Sequence, residues 1–159
     1  PDGVPVWVLV ALMTVAIVTD YYDGVVARRS GTASARGMLF DHTTDCLFVT
    51  AGLAGASLAG LVPALLPVLV VVAFTQYVLD SYFLHRQKQL RLSTLGRWNG
   101  VLYFAPLVQI ALARLEWLPA LADLAGAVVR PFSIVLVVST VASIADRAAA
   151  PLRARTSVR

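Results

Sequence analysis

Four aspartates lie within one short stretch, at the ends of two strongly apolar segments, and they constrain the fold more than any other feature. They are Asp20, Asp23, Asp41 and Asp45. Carboxylates near the hydrocarbon layer of a membrane are costly, so their presence indicates a functional site. If both segments are helical, residues three or four apart share a face and each segment carries one acidic edge. The short linker predicts antiparallel neighbouring helices with converging carboxylates.

This acidic cluster predicts bound divalent cations. Four carboxylates at one membrane surface would repel one another unless cations lie between them. Oxygen ligands suit Mg2+ or Mn2+, and two such ions suit a pyrophosphate-containing substrate. We therefore expect Asp20, Asp23, Asp41 and Asp45 to hold two ions of Mg2+ or Mn2+.

Small residues and one arginine share the same stretch. Gly24, Ala27 and Gly37 leave the backbone open to close approach by a ligand. Arg28 offers a planar fork of donors that fits a phosphate group. The stretch therefore predicts a phosphate-bearing ligand beside the metals.

The complete pattern is D-x2-D-G-x2-A-R-x8-G-x3-D-x3-D. It resembles the signature of the CDP-alcohol phosphotransferase (CDP-alcohol phosphatidyltransferase) family, membrane enzymes of phospholipid biosynthesis that transfer a group from a CDP-linked donor to a hydroxyl acceptor and release CMP. All eight signature positions match. The resemblance implies that Asp45 accepts the proton of the acceptor hydroxyl while it contacts a metal. It also implies a donor site formed by Asp20, Asp23, Gly24, Ala27, Arg28 and Gly37.

The composition indicates a polytopic membrane protein. Of 159 residues, 58% are hydrophobic and 14% charged, which is too apolar for a soluble domain of this length. The net charge of +4 does not indicate nucleic acid binding, because the basic residues fall between the apolar segments. The single cysteine, Cys46, excludes an intramolecular disulfide.

Alternating apolar and polar segments predict an all-α transmembrane helical bundle that forms one catalytic domain over residues 1–159. The resemblance implies six membrane helices with the signature on the second and third, so we expect one helix before residue 1. Five spans are predicted, near 4–27, 37–61, 64–84, 98–115 and 128–145, and a basic tail at 147–159.

The distribution of basic residues predicts the orientation. With the signature linker, the loop after the third span and the C-terminus on one side, eleven of the thirteen Lys and Arg residues lie there. Only Arg114 and Arg130 lie opposite. This asymmetry places the active site at the cytoplasmic face of an integral membrane protein.

The acceptor site is less defined. Asp80 either pairs with a neighbouring arginine or contributes to acceptor binding or metal support. Arg91 and Arg97 either anchor the membrane boundary or bind the acceptor. Family members commonly carry a Gly-Lys pair near this place, associated with the acceptor phosphate, and Gly96 and Arg97 resemble it.

A stripe of small residues in the second span permits close helix packing. Gly52, Ala56 and Gly60 follow the small-xxx-small spacing. The stripe predicts packing within the chain, with a homodimer contact as the alternative.

Several functions and acceptors stay open at this point. The donor expected first is CDP-diacylglycerol, although LFDHTTD resembles the phosphocholine and phosphoethanolamine transferase branch more than the glycerol phosphate branch. The alternatives are a cation transporter, an intramembrane prenyltransferase and a catalytically inactive interaction protein. His42 and His85 lack paired ligand spacing, so we expect them to be boundary residues.

Overall fold

A computed structural model describes residues 6–30, 34–80, 94–115 and 118–156, and within these ranges no residue lies in a strand. This confirms the predicted all-α class. The described residues form six helices, which are Val6–Arg29 (α1), Ala35–Leu58 (α2), Leu65–Leu79 (α3), Thr94–Leu102 (α4), Ala105–Leu112 (α5) and Pro119–Thr156 (α6).

A serine cap sets the start of α2. Ser34 has extended backbone angles, φ −127° and ψ 154°, and its hydroxyl accepts a hydrogen bond from the Gly37 N–H at 3.0 Å. The cap satisfies one of the N–H groups that the first helical turn leaves without a partner. Because of it, α2 starts two residues before the predicted boundary, and Asp41 lies in its second turn.

The predicted fourth span contains two helices instead of one. α4 begins at Thr94 and ends at Leu102, and α5 begins at Ala105. Pro106 has no N–H to donate to the Leu102 carbonyl, and its ring would crowd that carbonyl in a continuous helix. The proline therefore explains the break.

The last helix is much longer than the predicted fifth span of 128–145. α6 begins at Pro119, where proline suits the first helical position, and runs for 38 residues. The helix therefore starts nine residues before the predicted span, and Pro131 lies inside it. The basic tail is helical as far as Thr156.

The outer surface of the molecule is rich in apolar side chains. Trp7 and Leu12 of α1 and Val138 of α6 are each more than half exposed, and an apolar surface of this extent is typical of contact with lipid or a partner. One helix of the described residues, over Pro119–Ala149, is long and apolar enough to cross a membrane, and α3 is apolar but shorter. The five spans stay a prediction.

The core lies where α2, α3 and α6 meet. Leu53 of α2, Leu66 of α3 and Leu136 of α6 are almost completely buried and belong to one apolar cluster. α5 packs against α6 and also contacts α1 and α2. The carboxyl-terminal half of α2 is therefore fixed from several sides.

Side-chain hydrogen bonds join α4 to α6. Ser139 donates to the Asn99 Oδ1 at 2.7 Å. Thr140 donates to the Leu136 carbonyl at 2.6 Å, so the Tyr103 hydroxyl, 2.8 Å away, donates to the Thr140 oxygen. These bonds fix the end of α4 on the middle of α6.

The small residues of α2 have different surroundings. A Cβ added to Gly52 would lie 2.8 Å from Cδ1 of Leu107 in α5, whereas a Cβ at Gly55 would meet nothing within 4 Å. Gly60 lies beyond the helix in a turn, with φ +74°. Gly52 thus packs within the chain as predicted, and the homodimer contact stays a prediction.

We predict that Gly52→Val destabilises the fold and that Gly55→Val does not. Both variants change helix propensity equally, but only the first forces a branched side chain into Leu107. Overpacking of this kind costs about 1–3 kcal/mol. The measurement is thermal unfolding of the purified protein in a neutral detergent, followed by circular dichroism. Equal shifts in Tm for the two variants would show that α2 does not pack on α5 at this point.

Candidate metal and donor site

Three ligand-bearing side chains converge on one face of α2. Asp41, His42 and Asp45 each offer one ligand atom, and these atoms all lie within 4.8 Å of one another. Asp41 is exposed, whereas His42 and Asp45 are half-buried. Residues one turn apart on a helix share a face, so the spacing itself brings the two carboxylates together.

His42 is held from the side by an aromatic contact with α3. Its ring lies edge-on to the buried Tyr77, with centroids 6.1 Å apart and an interplanar angle of 65°. The guanidinium of Arg147, from α6, lies 5.4 Å from the centroid of the same tyrosine ring and 3.6 Å from a carboxylate oxygen of Asp80. α2, α3 and α6 therefore meet through one connected set of polar and aromatic side chains beside the cluster.

The threonines between the two aspartates do not add free hydroxyl groups to this face. Thr43 donates to the Leu39 carbonyl at 2.7 Å, and Thr44 donates to the Phe40 carbonyl at 2.9 Å. Both hydroxyl protons are used by bonds within the helix. The carboxylates and the imidazole are the groups in this turn that can bind a ligand strongly.

The structure describes the signature residues of α1 less completely than those of α2. Their backbone belongs to α1, and Asp23 is exposed but is not a member of the cluster on α2. α1 contacts α5. A metal site shared between the two helices therefore stays a prediction. The side chains of four predicted site residues lie outside the described part of the chain: Asp20, Gly24, Ala27 and Arg28.

The other predicted residues that the structure describes lie on or directly after three different helices. Gly37 is exposed in the first turn of α2, and Arg97 is exposed in the first turn of α4. Asp80 follows the last residue of α3 and pairs with Arg147. This agrees with the interpretation of Asp80 as the partner of an arginine. Arg91 and His85 lie outside the described residues.

The sequence matches one family over nearly its whole length. A family model described as CDP-alcohol phosphatidyltransferase matches residues 3–144. The chain belongs to this family. The CDP-alcohol phosphatidyltransferases are membrane-associated, generally metal-dependent transferases that use a CDP-alcohol donor and a hydroxyl acceptor. No curated protein and no solved structure matches the chain.

The donor set on α2 fits the divalent cation that the family implies. Carboxylate oxygens suit Mg2+ and Mn2+, and an imidazole nitrogen is accepted more readily by Mn2+ than by Mg2+. The sequence predicted a boundary residue at His42 because it has no paired ligand spacing, and it did not predict the place of His42 beside the two carboxylates. The signal that could have found it is its position, directly after Asp41 and three residues before Asp45, which places it on the acidic edge.

We predict that Asp45→Asn and His42→Gln each weaken Mn2+ binding roughly tenfold, because each removes one ligand from a small set. The measurement is a Mn2+ titration of the purified protein, with free ion followed by electron paramagnetic resonance. Asp123→Asn is the matched control, since it removes an exposed carboxylate of α6 that lies outside the cluster. Affinities that fall equally in the control would indicate a general charge effect and no site on α2.

Proposed function

We propose that this chain transfers a phosphatidyl or phosphoalcohol group from a CDP-linked donor to a hydroxyl acceptor and releases CMP. CDP-diacylglycerol is the first candidate donor. The observation that carries the proposal is the convergence of Asp41, His42 and Asp45 on one face of α2. They lie in the stretch that resembles the family signature, within the residues that the family model matches. A structural ion pair would not need two carboxylates and an imidazole at this spacing.

The donor would lie against the ends of α1 and α2. Gly24 and Ala27 of α1 are small residues that, together with the exposed Gly37, would leave room for the pyrophosphate, and Arg28 would donate to its oxygens. Mg2+ or Mn2+, two ions in this proposal, would neutralise the pyrophosphate charge when held by Asp20, Asp23, Asp41 and Asp45. The cytidine would rest on the same surface.

Asp45 is the proposed base. The acceptor oxygen forms a bond to the phosphorus of the transferred group as the bond from that phosphorus to the CMP oxygen breaks. The proton of the acceptor hydroxyl passes to the Asp45 carboxylate. The half-buried position of Asp45 supports this role, because it lies deeper along α2 than the exposed Asp41.

The acceptor would approach from the side of α3 and α4. Arg97 is exposed on α4 and can donate to an acceptor phosphate, and Arg91 is proposed for the same surface. The Asp80 carboxylate is bound to Arg147, so we assign it to the support of this surface. The active site would face the cytoplasm, where most of the basic residues are predicted to lie.

The direct experiment offers the purified protein CDP-diacylglycerol with a panel of acceptors and follows CMP release. The acceptor panel contains glycerol phosphate, inositol phosphate, serine and inositol. A second series uses CDP-choline as the donor and diacylglycerol as the acceptor. We expect release with one acceptor, and only with Mg2+ or Mn2+ present. Metal-independent ion flux in liposomes without CMP formation would favour a transporter, and the absence of both activities would favour an inactive family member.

We predict that Asp45→Asn and His42→Gln fail in different ways. Asp45→Asn should lower kcat by about a hundredfold or more even at saturating Mn2+, because it removes the proton acceptor. His42→Gln should raise the Mn2+ concentration needed for half-maximal rate and recover much of the rate at saturation. The measurement is CMP release across a Mn2+ series, with Asp123→Asn as the control that keeps full activity. Recovery of Asp45→Asn by added metal would remove this residue from the base role.

A further inference from the structure

Two arginines line one pocket at the end of the molecule opposite the acidic cluster. Arg114 follows α5, Arg130 lies in α6, and both are exposed. Both line an open pocket of about 380 Å3. These two are the only basic residues that the predicted orientation places outside the cytoplasmic side, and the fold brings both to one pocket.

The pocket walls are apolar or have no side chain. Leu61 and Ile110 line it together with Gly60 and Gly126. A Cβ at Gly126 would be in ordinary contact with Ala113, and a Cβ at Gly60 would meet nothing within 4 Å. The pocket is therefore an open groove with apolar walls and two arginines among the residues that line it.

Helix lengths place this groove near the other membrane surface. Sixteen residues of α6 separate Arg130 from Asp146, which corresponds to about 24 Å along the helix axis. Thirteen residues of α2 separate Asp45 from Leu58, or about 20 Å, and the pocket residue Gly60 lies two residues further along the chain. A hydrocarbon layer is about 30 Å thick, so the groove lies close to its opposite boundary.

Within the described part of the chain, neither Arg114 nor Arg130 is in a salt bridge. The salt bridge among the described residues joins Arg147 to Asp80, at the other end of the molecule. Guanidinium groups bind phosphate oxygens through paired, charge-assisted hydrogen bonds. A phosphate with an attached acyl chain would satisfy both parts of the groove, since the arginines bind the phosphate while the chain lies on the apolar walls.

We propose that this groove binds the headgroup phosphate of an anionic phospholipid in the outer leaflet, at a site separate from the transferase site. A zwitterionic lipid carries a compensating cation beside its phosphate, so the two arginines favour an anionic lipid over it. Arg114 also lies at the carboxyl end of α5, where a cation stabilises the helix dipole. If Arg114 had only this structural role, its replacement would lower the stability of the protein without changing its lipid preference.

The test is native mass spectrometry of the full chain in a neutral detergent, titrated with dioleoylphosphatidylglycerol or dioleoylphosphatidylcholine. The double variant Arg114→Gln/Arg130→Gln should bind one phosphatidylglycerol roughly tenfold more weakly than the wild type. Binding of phosphatidylcholine should not change. The double variant Arg114→Lys/Arg130→Lys, which keeps both charges, should retain most of the preference for the anionic lipid.

Three results would overturn the proposal. The first is that the wild type and the double glutamine variant bind phosphatidylglycerol with equal affinity, and the second is that the variant loses as much affinity for phosphatidylcholine as for phosphatidylglycerol. The third is that millimolar inorganic phosphate displaces the lipid. The last would identify a site for a free anion. If the double glutamine variant does not fold, as judged by its Tm, the two single variants replace it, and each should bind phosphatidylglycerol more weakly than the wild type.

Discussion

The repulsion between Asp41 and Asp45 is the constraint on which the candidate site depends. Like charges four residues apart destabilise an isolated helix by about 0.2–0.5 kcal/mol, and partial burial of Asp45 removes water that would screen them. α2 stays helical because the Ser34 cap stabilises its start and Leu53 is buried two turns beyond the cluster. Packing thus holds the two carboxylates close together in spite of their repulsion. A bound cation would stabilise this arrangement, whereas water alone would not favour it.

The aromatic and ionic contacts beside the cluster give His42 a fixed orientation. Its ring edge rests on Tyr77, and the face of that tyrosine is contacted by Arg147, which also binds Asp80. Ligands that are oriented by a second set of side chains bind metals more tightly than free ones. Because the supporting residues come from α3 and α6, movement between these helices would alter the ligand geometry on α2.

The sequence predicted the features that follow from short-range spacing. The all-helical class, the family and the convergence of Asp41 with Asp45 depend on local patterns of apolar and acidic residues. The contact of His42 with Tyr77, and the choice of Arg147 as the arginine that pairs with Asp80, were not predictable, because these partners are distant in sequence and their proximity arises from packing. The full length of α6 was not predictable, because the span of 128–145 follows from its apolar run and the helix continues beyond both ends of that run.

Residues at and before the break between α4 and α5 attach the predicted acceptor surface to the rest of the molecule. Irregular backbone is tolerated at membrane depth only where protein surrounds it. Here Tyr103 at the break is buried and bonds to Thr140, and Asn99 bonds to Ser139, so both anchors lie on α6. Arg97 is only two residues from Asn99, so α6 fixes the position of α4 and its arginine. The same helix carries Arg147, and both sides of the proposed acceptor surface therefore depend on α6.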